Sequence, residues 1–65
     1  MIHNSSVIDK NAEISSNVKI GPFCYIGPKV KILENVELIS NVHVEGNTTI
    51  GKGTKIFPFA TQAKG

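Results

Sequence analysis

Stepping along the chain from Ile2 by six residues meets Ile2, Ile8, Ile14, Ile20, Ile26, Ile32, Leu38, Val44, Ile50 and Ile56, all large aliphatics. A second column holds Ser6, Ala12, Val18, Cys24, Val30, Val36, Val42, Thr48, Thr54 and Ala60, all small or β-branched. Each of these stands two residues ahead of the next large aliphatic position. The residue between them is mostly polar, as in Val18-Lys19-Ile20, Val36-Glu37-Leu38 and Thr54-Lys55-Ile56. A spacing of six matches neither the 3.6-residue period of a helix nor the two-residue period of a long strand. Within each hexad, however, the small–polar–large order is the inside–outside alternation of a very short strand.

The remaining positions predict turns. Three residues after each large aliphatic stand Ser5, Asn11, Asn17, Phe23, Lys29, Asn35, Asn41, Asn47, Gly53 and Phe59. Asn and Gly tolerate the left-handed backbone of a tight corner best. Pro22, Pro28 and Pro58 sit just before three of these positions and end strand pairing there. A chain that alternates short strands and corners coils on itself. Three strands and three corners close a triangular turn of eighteen residues, which makes this an all-β chain of the hexapeptide parallel β-helix type, with about three coils. Known coils of this type are left-handed, contrary to the usual crossover rule; spacing alone leaves the hand open.

Residues eighteen apart should therefore stack. The expected inner stacks are Ile8–Ile26–Val44, Ile14–Ile32–Ile50 and Ile2–Ile20–Leu38–Ile56. Outside, Lys19, Glu37 and Lys55 should form one charged ladder, and Glu13 should lie against Lys31. One domain spans 1–65, with a lead-in over 1–7, nine hexads over 8–61 and a tail over 62–65. The tail departs from the pattern because Gln62 stands where an eleventh aliphatic belongs. So short a prism buries its core inefficiently. The isolated chain is expected to be marginally stable, and either self-associated or a fragment of something longer.

Composition narrows the function classes. Seven lysines, no arginine and five acids give a net charge of +2 without a basic patch. Nucleic acid is therefore not an expected partner. The first twenty residues interleave polar side chains with aliphatics, so neither a signal-peptide core nor a membrane span is expected. A lone Cys24 forms no internal disulfide, which fits a reducing cytoplasm.

Candidate chemistry is sparse. Gly46–Gly53 approaches a P-loop, but Gly53 replaces the hydroxyl residue and no helix is predicted after it, so corner glycines explain the run. His43 and Glu45 flank the inward Val44 and share an outer face with Tyr25. This arrangement is capable of proton transfer, but more simply it is a solvated or interface histidine. His3 falls in a fraying lead-in, and Cys24 lies in the inward column, where a thiol is a small hydrophobe. Regular outward Thr pairs of an ice-binding face are missing. No catalytic, substrate-binding or metal-ligating residue is assigned, and no cofactor is expected. The outward apolar residues are more telling. Ile39 and Phe57 occupy one outer column, and Phe23 and Phe59 lie at the corner beside it, as candidate subunit contacts. Three copies about an axis suit a three-sided prism.

The run Ile20-Gly-Pro-Phe-Cys-Tyr-Ile-Gly-Pro28 resembles the UDP-N-acetylglucosamine O-acyltransferases that begin lipid A synthesis. So do Ile2-His3, Val36-Glu-Leu, Val42-His-Val-Glu-Gly46 and Ile56-Phe-Pro-Phe-Ala60. The resemblance spans about residues 2–61. It implies a cytoplasmic homotrimer that moves a 3-hydroxyacyl group from acyl carrier protein to the sugar 3-hydroxyl with a histidine base and no metal. Neither His3 nor His43 matches that base, and the family's substrate loop has no counterpart here. The resemblance thus implies an N-terminal fragment or truncated product carrying the first coils and inactive alone. The alternatives are a non-enzymatic structural or trimerising module, or a fragment of a sister hexapeptide N-acyltransferase.

Overall fold

A computed structural model describes residues 1–64, with side chains through residue 61. Ten strands follow in order. They are β1 (Val7–Ile8), β2 (Glu13–Ile14), β3 (Lys19–Ile20), β4 (Tyr25–Ile26), β5 (Lys31–Ile32), β6 (Glu37–Leu38), β7 (His43–Gly46), β8 (Thr49–Ile50), β9 (Lys55–Ile56) and β10 (Thr61–Lys64). Among the described residues there is no helix. The strands sort into three parallel sheets, β1-β4-β7-β10, β2-β5-β8 and β3-β6-β9, one on each side of a triangular tube.

The register is the one the hexads predict. Ile8 lies on Ile26 and Ile26 on Val44. Ile14, Ile32 and Ile50 form the second stack. Ile20, Leu38 and Ile56 form the third, which Ile2 joins through a single bridge to Ile20. The small column lies inside as well, with Val18, Cys24, Val30, Val36 and Val42 all buried beside these rungs. Burial fades towards the tube's ends. Ile26 and Ile32 are fully covered, whereas Ile8 and Ile14 are half-buried and Ile2 is 44% exposed.

Polar members of the small column meet backbone carbonyls. Ser6 donates to Gly21 O, Thr48 to Glu45 O and Thr54 to Gly51 O, at 2.7–2.8 Å. Among the described residues no buried side-chain nitrogen or oxygen lacks a partner. Ser6 and Thr48 are half-buried and Thr54 is exposed, so none of the three hydroxyls is shut away from water.

Three differences from expectation stand out. First, the lead-in is hydrogen-bonded into the tube. Met1 N donates to Val18 O at 2.7 Å, His3 N to Ile20 O and Ile20 N to Met1 O at 2.8 Å, so it begins the β3-β6-β9 face. Second, the backbone of Thr61–Lys64 keeps the register although its composition leaves the pattern. Gln62 pairs with Val44 as a sixth-position aliphatic would, because ladder hydrogen bonds need only peptide groups. Third, the outer charge ladders are loose. Glu37 and Lys55 approach to 3.9 Å, while Lys19–Glu37 and Glu13–Lys31 share a register without closing an ion pair. Exposed long side chains gain little from being held together.

The corners are of two kinds. Asn17, Asn35 and Gly53 have φ between 59° and 73°, and Phe23, Asn41 and Phe59 have φ between 51° and 65°. The third corner, holding Asn11, Lys29 and Asn47, contains no left-handed residue at those positions. Asn11 instead donates its amide to Asp9 Oδ1 at 2.9 Å, an Asx turn, and in the next coil but one Gly46 takes the positive φ of 76°.

Candidate functional site

The outer surface next to one left-handed corner carries the apolar groups singled out in the sequence. Phe23, Phe57 and Phe59 are 67%, 65% and 82% exposed, among the largest apolar side chains left in solvent. Phe57 follows β9, and Phe23 and Phe59 hold corner positions one and three coils along. Ile39 differs: it is half-buried, because it lies in the middle of its column between Gly21 and Phe57 rather than at the end. The structure therefore puts three aromatics in the open and keeps the fourth residue as part of the floor.

Gly21 shapes that floor. A Cβ there would lie 1.7 Å from Ile39 O, so the chain passes over Ile39 with no room for a side chain. The result is a groove of about 380 Å³ that runs between His3 and Ile39 and is edged by Lys19 and Glu37. Sequence reading placed Gly21 in this column but had no signal for the groove, which depends on how closely two coils approach.

Two aromatics at the rim hold a backbone conformation that costs an ordinary L-residue roughly 1–2 kcal/mol. Asn41, between them in the same corner column, pays less for it. Both aromatics stay in solvent although Asn serves the same corner at position 41.

The second candidate lies on the neighbouring face. His43 Nε2 and Glu45 Oε1 are 2.9 Å apart, and the Tyr25 ring lies 4.9 Å from the imidazole at a tilt of 51°. Both members of the pair are about half exposed. The carboxylate orients the ring, with Tyr25 on one side of the histidine and Thr61 in register on the other. Its exposure makes it a solvent-screened surface pair.

The other histidine is structural. Ser5 N donates to His3 Nδ1 at 3.1 Å and Ser5 Oγ lies 2.8 Å from the same atom, while Phe23 N donates to Ser5 Oγ at 3.1 Å. This chain of bonds ties residues 3–5 to the Phe23 corner. Cys24 is buried and free, with Sγ 3.7 Å from Pro22 O. Gly53 of the P-loop-like run is a corner residue, and Lys52 points to Glu34 at 4.0 Å rather than to a phosphate cradle. Among the described residues no three His, Cys, Asp or Glu side chains gather as a metal site. No helix there is long and apolar enough to cross a membrane.

Comparison with known proteins accounts for this architecture. The family model described as bacterial transferase hexapeptide, six repeats, matches residues 1–34. The chain belongs to the hexapeptide-repeat transferases. A crystal structure of a UDP-N-acetylglucosamine acyltransferase superposes on 94% of the chain with a TM-score of 0.93 and 48% sequence identity. The chain spans 24% of the length of that protein. No curated protein matches. With this likeness the coil is the left-handed parallel β-helix of the hexapeptide transferases.

Proposed function

We propose that these coils are the opening section of an acyltransferase that acts on UDP-N-acetylglucosamine. In this reading a 3-hydroxyacyl group passes from acyl carrier protein to the sugar 3-hydroxyl, the first step towards lipid A, in a cytoplasmic homotrimer. The observation that carries the reading is 48% identity over 94% of the chain, at a level of superposition that leaves the fold unchanged. The run Ile20–Pro28 supports it, since its buried Cys24 and its left-handed Phe23 go beyond what the hexad alone demands.

Such a transfer needs a base for the sugar hydroxyl, an oxyanion site for the thioester carbonyl and a place for the departing thiolate. This reading assigns none of these roles to the surface histidine pair or the aromatic rim. The contribution of these coils is scaffold and contact: they set the start of the tube, and Phe23, Phe57 and Phe59 give it an apolar edge for a neighbouring subunit.

The test is a graft. Residues 1–60 replace the aligned coils of the matched acyltransferase, and transfer from a 3-hydroxyacyl carrier protein to UDP-N-acetylglucosamine is assayed. The graft should retain turnover within about tenfold of the parent, whereas the 65-residue chain alone should give none above background. A folded graft without turnover would remove the assignment, and turnover by the short chain would move the chemistry into these coils.

A further inference from the structure

The contact that ties His3 into the lead-in also sets a base against a peptide nitrogen. Ser6 N donates to His3 O at 3.1 Å, closing a reverse turn with Asn4 and Ser5 at its centre. Inside that turn Ser5 N donates to His3 Nδ1 at 3.1 Å, and Ser5 Oγ lies 2.8 Å from the same ring nitrogen. Asn4 and His3 are both exposed, so water reaches them. An asparagine side chain and the amide nitrogen that follows it are the two reactants of succinimide formation. That nitrogen attacks poorly until its proton is taken, and a base can take it only from within hydrogen-bond reach.

The chain has six asparagines, and Asn4 alone has such a neighbour. Asn17, Asn35 and Asn41 precede Val18, Val36 and Val42, which are only 1–4% exposed. The branched Cβ of each valine crowds ring closure, and burial keeps its amide from water. Ala12 N, after Asn11, donates to Asp9 O at 3.0 Å, and Thr48 N, after Asn47, to Gly46 O at 3.0 Å. A peptide carbonyl holds those protons but is too weak a base to remove them.

We propose that Asn4 is a site of spontaneous deamidation, with His3 as the base that takes the proton from Ser5 N. Ser5 N forms a bond to Asn4 Cγ as its proton passes to His3 Nδ1. The Cγ–Nδ2 bond then breaks, and the same proton leaves with that nitrogen as ammonia. A succinimide and a free imidazole remain. Water opens the ring at either carbonyl, which puts aspartate or isoaspartate at position 4. One water is consumed, one ammonia is released, and nothing is oxidised or reduced. Isoaspartate adds a backbone carbon between the Ile2–Ile20 bridge and the Ser5–Phe23 bond, so it changes the spacing of two anchors of the lead-in.

The full chain is held at physiological temperature and neutral pH, and peptide mapping by mass spectrometry follows the conversion of each asparagine to acid. Asn4 should convert ahead of the other five. His3→Gln keeps the bond from the residue-3 amide to Ile20 O, which is backbone. It should slow conversion at Asn4 about tenfold, below the usual span for a positioned base because this one works in open water. A second arm repeats the measurement on the parent chain unfolded in guanidinium. The Asn4-Ser5 sequence persists there without the turn, and conversion at Asn4 should slow by a similar factor; this arm stands even where the variant fails to fold.

A lead for Asn4 that is lost in both arms supports the proposal. Equal rates at Asn4 in the parent and in folded His3→Gln overturn it, because the Asn-Ser sequence alone would then set the rate. A rate in guanidinium that equals or exceeds the folded one overturns it as well, since the turn would give no assistance. Faster conversion at any other asparagine of the folded chain does the same.

Discussion

Gly21 and Gly51 each follow a large inward isoleucine, at the same place in the hexad, yet their surroundings are opposite. A Cβ on Gly21 would run into Ile39 O, and one on Gly51 would meet nothing within 4 Å. Gly21→Ala should therefore cost about 3 kcal/mol, the upper end for forcing extra volume into packed structure. Gly51→Ala should be neutral or stabilise by about 0.4–1 kcal/mol through the unfolded chain. Denaturant titration of the two variants checks the contrast, and equal losses would contradict the close approach of Gly21 to Ile39. The corner residues show how far single positions can be read. Asn17, Asn35 and Asn41 take the left-handed conformation their type suggests. Asn11 and Asn47 do not, while Phe23 and Phe59 do. Residue preference is worth about 1 kcal/mol at such a site, less than the closure of a coil onto its neighbours can impose.

Most elements here are two-residue strands, which have no stability of their own. They exist because each is paired one coil away and backed by an aliphatic rung. Ile32 is fully buried with Ile14 on one side and Ile50 on the other. Ile32→Ala should cost roughly 2–5 kcal/mol, with Ile32→Val nearer 1 kcal/mol should the alanine variant fail to fold. Ile14→Ala, at the half-buried end of the same stack, should cost distinctly less. Thermal or denaturant melts of the three variants give the order, and a larger loss at Ile14 would deny that burial rises towards the middle rung. This order was legible in the sequence, since step-six counting places Ile14, Ile32 and Ile50 in one line. The tie-down of Met1–Ser6 was not legible. It relies on Ser5, Ser6 and His3 meeting partners fifteen or more residues away or within their own turn, and no periodic signal marks such bonds.

At the level of the whole molecule, the tube carries an exposed aromatic edge. Phe57→Glu places a charge at the exposed rim next to Phe59 and should weaken self-association of the chain without loss of strand content. Sedimentation equilibrium of parent and variant at matched concentrations measures it; an unchanged mass would refute the rim as a subunit contact. Counting along the chain was enough to determine which side chains face the axis, which strands pair and in what register. Those properties follow from a period, and a period is visible in one dimension. Tertiary structure alone decided which two corners turn left-handed, that Gly21 opens a groove over Ile39, and that the backbone carries on through Gln62. Each of these depends on the distance between neighbouring coils and on where peptide hydrogen bonds find partners, which the hexad pattern leaves undefined.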